Sequence, residues 1–411
     1  MLKAIKIRLY PSEDKIIDIN KLIGSARFVY NKCLSFKSIE YGLFNTSTGI
    51  GQTNKHYIEL KTKYSWLGEA HSKVMQQSMM NLEQAFSNFF KDLKKGDKKI
   101  GVGYPDFKKK KFKETCRFPS DAISSVKGNR INIIKSLKNI HFKCSVSDEK
   151  YLNKHQKEIK SGTLTKTKSG HYIFSILIDR PNKTLKKATN DVIGLDLGIK
   201  DFIVTSEGQK YENLKIKRKN EVKLSRLYRQ LSRKKKGSKN KNKTRIKLAK
   251  FHEKLNNQKE YYLHQTVNQI LSENQTIGIE NLNVKGMMKN HNLAKSIQEV
   301  SWSRFRTILT YKSEWYNREV IVVDRFFAST KLCSECGYKN DDLTLKDRFW
   351  ICPKCGKLHD RDINSGINIK IEVIRIKIGL SSPKSTLQES KSIRSSVNEE
   401  TNSKRPKMIK Q

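Results

Sequence analysis

Isoleucine and leucine alternate with lysine and arginine across residues 2–10, and this period of two predicts a half-buried strand. Short alternating runs return between residues 116 and 180, separated by turn signals such as Gly128-Asn129. Together these segments predict a small antiparallel β-barrel that includes the first strand.

Between these strand regions, apolar residues recur at helical spacing. Ser12 is placed to cap a helix whose apolar face continues to Cys33, and acidic residues follow in its first turn. A second helix is predicted from about 71 to 93, with an apolar stripe typical of core packing. We therefore expect a helical insertion over 11–112, and a barrel built from 1–10 and 113–185.

A different alternation of strands and helices begins near residue 190. The predicted strands cover 192–198, 202–205, 210–214, 276–280 and 319–323, with a loop over 281–289 and a helix over 297–316. A three-strand meander with an acid in its first strand predicts the opening of an RNase H-like fold. The fold class is therefore α/β multidomain, with an RNase H-like core over 190–328 and 359–378.

The charge of the chain points to a polyanionic partner. The 84 lysine and arginine residues against 40 acidic residues give a formal charge of +44, which favours nucleic acid. No apolar run approaches the roughly 18–20 residues of a spanning helix, so no membrane partner is expected. The seven cysteines are an odd number and three are scattered, which argues against a disulfide framework. We expect a cytoplasmic, nucleoid-associated protein.

Two basic runs are the candidates for nucleic-acid contact. The first follows a Gly-Tyr-Pro break, and the second lies in a predicted flexible loop over 233–243 between two helical stripes. Either run could be an ordinary solvated surface, but the total charge favours phosphate contact. The residues are Lys108, Lys109, Lys110 and Lys111 in the first run, and Arg233, Lys234, Lys235 and Lys236 in the second.

Two Cys-x-x-Cys pairs, Cys333/Cys336 and Cys352/Cys355, lie 15 residues apart. Two such pairs can complete a tetrahedral thiolate site for structural Zn²⁺. Gly337 and Gly356 follow the pairs, where a tight knuckle needs a residue that tolerates positive φ. The alternative is four unrelated buried cysteines. We predict a zinc ribbon over 329–358.

Three acidic residues are candidates for a second metal centre. Asp196 and Glu280 lie on predicted strands, and Asp362 opens a predicted helix, 84 and then 82 residues apart. Three carboxylates at one edge of a sheet could hold two Mg²⁺ ions for phosphodiester cleavage. From spacing alone, three ordinary surface acids remain the alternative.

Several motifs in this chain occur in a distinctive combination. They are Ile193-Gly-Leu-Asp-Leu-Gly-Ile199, Ile279-Glu-Asn-Leu282, the two cysteine pairs, Asp360-Arg-Asp-Ile-Asn-Ser-Gly-Ile-Asn368 and Gly103-Tyr-Pro-Asp-Phe-Lys108. With them, nearly the whole chain resembles the TnpB (OrfB) family of insertion-sequence proteins, which is related to the type V CRISPR effector nucleases. The exception is the tail over 379–411, which we expect to be disordered.

The resemblance implies a RuvC-like nuclease core with catalytic Asp196, Glu280 and Asp362, and catalytic Mg²⁺. It also implies that the barrel of the first half is wedge-like and that its helical insertion serves recognition. Asp360 is the alternative for the third position, because both acids flank Arg361. Where many members have two alanines after the asparagine, this chain has Ser365-Gly366, and the glycine is expected to loosen the helix by roughly 1 kcal/mol.

The resemblance also implies the partners, a guide RNA and a target double-stranded DNA that carries a short adjacent motif. The predicted function is RNA-guided DNA cleavage by a mobile element. The alternatives are a non-cleaving transposition accessory or guided repressor, and a nuclease that needs no guide. The oligomeric state stays open.

Overall fold

The computed structural model describes residues 1–94, 103–110, 114–182, 185, 187–344 and 346–380. The predicted disordered tail therefore lies outside the described residues from 381 onward, as does Lys111 of the first basic run. Residues up to Pro181, with Arg245–Lys250, pack as one unit, and the other described residues from Asn182 onward form a second.

The first unit contains a seven-stranded sheet and four α-helices in its described part. Its elements are β1 (Leu2–Tyr10), α1 (Glu13–Phe44), α2 (Ile50–Lys63), α3 (Ser72–Lys94), β2 (Glu114–Pro119), β3 (Ser125–Lys127), β4 (Arg130–Asn132), β5 (Ile140–Lys143), α4 (Val146–Lys154), β6 (Ile159–Lys166) and β7 (Tyr172–Asp179).

The predicted β-barrel is wrong in one respect, because no sheet of the described chain closes. The strand order is β2-β6-β7-β1-β5-β4-β3. A barrel needs its two outer strands to pair, but β2 pairs only with β6 and β3 only with β4. The predicted membership of the first strand is confirmed, since β1 pairs antiparallel with β7 and β5.

One continuous apolar core joins the sheet of the first unit to its helices. Ile7 and Leu9 of β1 belong to the same buried cluster as Ile19 of α1 and Met79 of α3. Ser12 occupies the N-cap position of α1, but its side chain makes no capping hydrogen bond. Helix α2 was not predicted, because lysine, threonine and glutamine dilute its apolar pattern.

The second unit contains a five-stranded sheet, with the cysteine pairs in an insertion before its last helix. Its elements are β8 (Asn190–Leu197), β9 (Asp201–Thr205), β10 (Lys210–Glu212), α5 (Ile216–Lys219), α6 (Glu221–Ser232), α7 (Lys239–Glu273), β11 (Asn274–Glu280), α8 (Val284–Met287), α9 (His291–Val300), α10 (Trp302–Tyr316), β12 (Glu319–Val323), β13 (Phe349–Ile351), β14 (Leu358–Asp360) and α11 (Arg361–Lys377).

The five-stranded sheet has the order β10-β9-β8-β11-β12. The first three strands form an antiparallel meander, whereas β11 runs parallel to β8 and to β12. Ile193 and Ile277 face a large core with α7 and α10, and Val192 faces a smaller core with α11. The helices therefore cover both faces of the sheet.

Three sequence-based boundaries in this unit need correction. The helix predicted over 297–316 is two helices, because Ser301 adopts a left-handed conformation (φ 62°) and its N–H ends α9 on the Ile297 carbonyl. The basic loop predicted over 233–243 ends at Ser238, whose side chain caps α7. The loop predicted over 281–289 contains α8. Within the described residues, none of the helices combines the length and apolarity needed to cross a membrane.

Candidate metal centres

Asp196 and Glu280 lie side by side at the carboxyl edge of the sheet. The parallel pairing of β8 with β11 matches Gly194 with Gly278 and Leu195 with Ile279. Each acid is the next residue of its strand. Because side chains alternate along a strand, both acids point to the face opposite the large core, the face that α11 covers.

Two glycines bring α11 close to this edge. A Cβ on Gly194 would lie 2.0 Å from the Gly366 carbonyl oxygen, and one on Gly278 would lie 2.6 Å from Cγ2 of Val373. A Cβ on Gly366 would lie 2.9 Å from the backbone nitrogen of Ser206. Close packing therefore requires Gly366, the glycine expected from the sequence to loosen the helix. It brings the second turn of α11, with Ser365, to Asp196.

The two acids around Arg361 have different surroundings. The Asp360 side chain accepts hydrogen bonds from the Asp362 and Ile363 amides, as the N-cap of α11, and it pairs with Lys210 at 2.8 Å. Burial opposes ionisation of Asp360, but these bonds keep its pKa below the usual range. Asp362 instead lies near enough to Asp196 to raise the pKa of that residue.

Burial raises the pKa of Asp196, and the neighbouring Glu280 carboxylate raises it further. Burial likewise raises the pKa of Glu280. Hydrogen bonds from two hydroxyls lower these pKa values. Ser365 donates to Asp196 Oδ1 at 3.0 Å, and Ser329 donates to Glu280 Oε1 at 2.5 Å. Partly buried acids that repel one another favour a cation between them.

The three carboxylates do not lie at mutual ligand distance. Asp362 pairs with Arg348 at 2.6 Å and with Arg361 at 3.0 Å, one arginine on each carboxylate oxygen. In the described chain, the four cysteines form a group of potential metal ligands whose donor atoms all lie within 4.8 Å of one another. The three acids form no such group. The acids therefore share an edge of the sheet without forming a closed ligand set.

The four cysteines form a compact cluster. The Cys333–Cys355 and Cys336–Cys352 sulfur atoms are each 3.6 Å apart. Zn–S bonds of about 2.3 Å in a tetrahedron place sulfurs about 3.8 Å apart, so the cluster fits Zn²⁺. Gly337 (φ 75°) and Gly356 (φ 68°) adopt the positive φ that the knuckles were predicted to need.

Contacts from α11 and β14 join the cysteine cluster to the sheet edge. The Asn364 amide donates to the Leu332 carbonyl, and its oxygen accepts from the Ser334 amide. Asn368 donates to the carbonyls of Ser329 and Leu332. One helix thus holds the loop of Ser329, which contacts Glu280, and the first cysteine knuckle.

The two basic runs differ in their local surroundings. Asn31 holds the Lys108 backbone through two hydrogen bonds, and the Lys108 ammonium lies 3.5 Å from the centre of the Tyr30 ring. Lys109 and Lys110 are exposed. Residues 233–236 occupy the turn between α6 and α7, where Arg233, Lys235 and Lys236 are exposed and Lys234 is half-buried.

Several residues of the acidic edge were not identified from the sequence. They are Ser329, Arg348, Ser365 and the paired glycines of β8 and β11. A signal for the glycines exists, because Gly194-Leu-Asp196 and Gly278-Ile-Glu280 repeat the same Gly-x-acid pattern on two strands. Arg348 carries no such local signal, since only the folding of the insertion brings it to Asp362.

Three family models match the chain. The OrfB model of IS605, described as "Probable transposase", matches residues 175–291, and a model described as "Cas12f1-like, TNB domain" matches 302–369. A model described as "Helix-turn-helix domain" matches 1–42, where the structure has one strand and one long helix.

Two curated relatives match along most of their length. A protein of Streptomyces pristinaespiralis named "Putative RNA-guided DNA endonuclease" is 30% identical over 370 residues, which cover 89% of this chain and 88% of the relative. The "Putative RNA-guided DNA endonuclease InsQ" of Escherichia coli K12 is 27% identical, covering 90% and 91%. The chain belongs to the TnpB (OrfB) family, which confirms the resemblance of its motifs.

Two solved structures share the fold. One is the "Cryo-EM structure of the Cas12f1-sgRNA-target DNA complex", with a TM-score of 0.54, 14% identity and coverage of 90% of this chain and 98% of the other. The second is the "Structure of the mini-RNA-guided endonuclease CRISPR-Cas_phi3", with a TM-score of 0.55, 10% identity and coverage of 94% and 93%. The mixed α/β multidomain fold is thus common to this chain and these effectors.

Proposed function

We propose that this chain is a transposon-associated, RNA-guided DNA endonuclease with a RuvC-type active site. The names of its relatives support this activity, and the strand order of the five-stranded sheet supports an RNase H-like core. The observation that carries the proposal is the position of Asp196 and Glu280. They are adjacent on paired parallel strands, with Ser365 and Gly366 in the second turn of α11 packed against β8.

Asp196, Glu280 and Asp362 are the residues that would hold Mg²⁺, and the three carboxylates supply the oxygen ligands that it prefers. A bound pair of such ions activates water and stabilises the leaving oxygen of a phosphodiester. Ser365 and Ser329 would orient the first two carboxylates, whereas Asp362 would turn toward the metal from its pairing with Arg348 and Arg361. Asp360 is assigned to capping α11 and not to the metal.

Cys333, Cys336, Cys352 and Cys355 would hold a structural Zn²⁺. Asn364 and Asn368 connect the cluster to α11, so the metal would stiffen the loop that carries Ser329. The Mg²⁺ and Zn²⁺ sites are therefore proposed to be mechanically linked, although their chemistry is separate.

The proposed partners are a guide RNA and the target DNA duplex, and the protein would act at the nucleoid. Phosphate contact would involve the exposed Lys109 and Lys110, together with Arg233, Lys235 and Lys236. Lys108 and Lys234 are assigned to the same surfaces with smaller roles. The Lys108 ammonium makes a cation–π contact with Tyr30, and the Lys234 carbonyl accepts a hydrogen bond from the Lys241 ammonium.

One observation favours a second candidate, a guide-bound protein that binds DNA without cutting it. Asp362 is paired with two arginines and is not within ligand distance of both other acids. A binding-only protein would tolerate this arrangement, whereas a nuclease must turn Asp362 toward the metal.

The test compares Asp196→Ala with Asp191→Ala, which removes an exposed acid at the other end of β8. Wild-type chain would be purified with its RNA, the RNA sequenced, and matching DNA offered with Mg²⁺. We expect cleavage by wild type and Asp191→Ala, and at least about 1,000-fold slower cleavage by Asp196→Ala with DNA binding retained. Binding without cleavage in all three proteins would favour the second candidate. Absence of a defined RNA would reject guidance.

A further inference from the structure

A cavity opens beside the acidic edge, between the ends of β8 and β11 and helix α10. It has a volume of about 550 Å³, and its wall includes Glu280, Leu197 and one face of α10. Leu197 follows Asp196 directly, so the cavity lies at the carboxyl ends of β8 and β11. Cavities of this size with an apolar wall and a few polar groups are the usual sites for small ligands.

Helix α10 presents two different faces. Phe305, Ile308 and Leu309 are fully buried in the large core. Arg306, Thr307 and Thr310 line the cavity instead. The Thr307 and Thr310 hydroxyls donate to carbonyls one turn back along α10. These two hydroxyls are thereby used within the helix, and Arg306 is the cationic donor of this face.

Arg306 is the cation of the cavity wall. Its Nη1 donates to Asn281 Oδ1 at 3.3 Å, which anchors the guanidinium next to Glu280. A guanidinium carries five N–H donors in a planar fork that matches phosphate oxygens. Since the anchoring bond uses one of them, the geometry leaves donors of a fixed cation available at the edge of the metal site.

Trp302 also lines the cavity, and its indole N–H is a buried donor. Trp302 is 3% exposed, and its indole N–H has no hydrogen-bond partner in the part of the chain that the structure describes. A buried donor without a partner is costly. Because this N–H is buried and does not open into the cavity, recognition of an anion rests on Arg306.

The wall also carries negative charge, from Glu280 and Glu314. An anion therefore enters favourably only if cations offset both acids, and Mg²⁺ at Glu280 together with Arg306 would do so. Leu282 and Val284 supply an apolar wall on which a sugar or base can pack. A nucleotide combines these features, an anionic phosphate joined to an apolar-faced ring.

We propose that this cavity binds one nucleotide of the DNA strand that is cut, with Arg306 holding the phosphate next to the scissile one. The inference rests on the proposed function, because it takes Glu280 as a metal ligand. It adds Arg306 as a substrate-binding residue outside the three carboxylates. It also gives the path of the DNA strand across the sheet edge, from Asp196 toward α10.

The first experiment measures binding of deoxythymidine 3′,5′-bisphosphate to the full chain by calorimetry, with Ca²⁺ to permit binding without cleavage. We expect Arg306→Gln to weaken binding about 10- to 100-fold and Arg306→Lys to weaken it less. The matched control is Arg304→Gln on the same helix, whose side chain pairs with Glu260 and not with the cavity. Equal binding by wild type and Arg306→Gln, or no binding by wild type, would overturn the proposal.

The second experiment places one uncharged methylphosphonate at each position of the cut strand in turn. A methylphosphonate beside the cut should lower the cleavage rate of wild type and of Arg304→Gln about 10-fold or more. Arg306→Gln cleaves slowly with any substrate, and the same methylphosphonate should lower its rate no further. A penalty of the same size in Arg306→Gln would reject the contact. If no protein cuts DNA but the bisphosphate still needs Arg306, the proposed nuclease activity fails while the nucleotide site stands.

Discussion

The Ser365 hydroxyl donates a hydrogen bond to Oδ1 of Asp196 at 3.0 Å, across the contact between α11 and β8. This bond lowers the pKa of Asp196 against the effect of burial. It also fixes one carboxylate oxygen, which leaves the other free for a metal.

Ser365→Ala should therefore raise the Mg²⁺ requirement for cleavage by about 10-fold near neutral pH, the effect of losing a hydrogen bond to a charged group. The pKa of Asp196 would rise further, so protons would compete with Mg²⁺ at higher pH and the acidic limb of the rate profile would move upward. Cleavage rates across Mg²⁺ concentration at pH 6, 7 and 8 would measure both effects.

Ser313→Ala is the control for this substitution, because it removes a buried hydroxyl whose bond goes to the Thr310 carbonyl. It should leave the Mg²⁺ dependence unchanged. An identical Mg²⁺ response in Ser365→Ala and wild type would show that the bond has no part in metal binding.

Gly194→Ala tests whether close packing of α11 builds the acidic edge. The added Cβ would meet the Gly366 carbonyl oxygen at 2.0 Å and the Lys370 nitrogen at 2.6 Å, so the helix must move. We expect a loss of about 1–3 kcal/mol in the free energy of unfolding, together with impaired cleavage. Denaturant unfolding followed by circular dichroism would measure the loss.

Gly42→Ala provides the contrast, since a Cβ there meets nothing within 4 Å on an exposed turn of α1. That substitution should stabilise the helix by about 0.5–1 kcal/mol. Gly194→Ala with wild-type stability would mean that α11 is not held by this contact.

Asp360→Ala and Asp362→Ala separate the cap of α11 from the proposed metal ligand. Loss of the Asp360 cap should lower stability by about 1 kcal/mol and leave much of the cleavage activity. Asp362→Ala should retain stability within about 1 kcal/mol and abolish cleavage. Thermal unfolding and single-turnover cleavage of both variants would decide the assignment, and the reverse pattern would transfer the ligand role to Asp360.

Cys352→Ser tests the zinc site. Replacing one of four thiolates should remove most of the bound zinc and destabilise the second unit, because structural zinc contributes directly to folding. Elemental analysis would report zinc per chain. Cys144→Ser, a cysteine outside the cluster, should keep the wild-type content. Full zinc content in Cys352→Ser would exclude this cluster as the site.

Local patterns predicted the elements that carry the site. The strand over 2–10, the strand over 319–323 and the positive φ of Gly337 and Gly356 agree with the structure. These features depend on neighbours along the chain, through side-chain alternation or backbone sterics. The helix break at Ser301 and the open edges of the first sheet do not depend on neighbours along the chain. They are decided by tertiary packing and by strand pairing.

By itself, the sequence determined the family, the basic charge, the paired cysteines and the strands that carry Asp196 and Glu280, since composition and short-range periodicity are local properties. Only the tertiary structure decided what surrounds the acids. Ser365, Ser329 and Arg348 reach them from distant segments, and Asp360 differs from Asp362 through its capping bonds. Such contacts depend on how α11 crosses two glycines on adjacent strands, and no local pattern encodes that crossing.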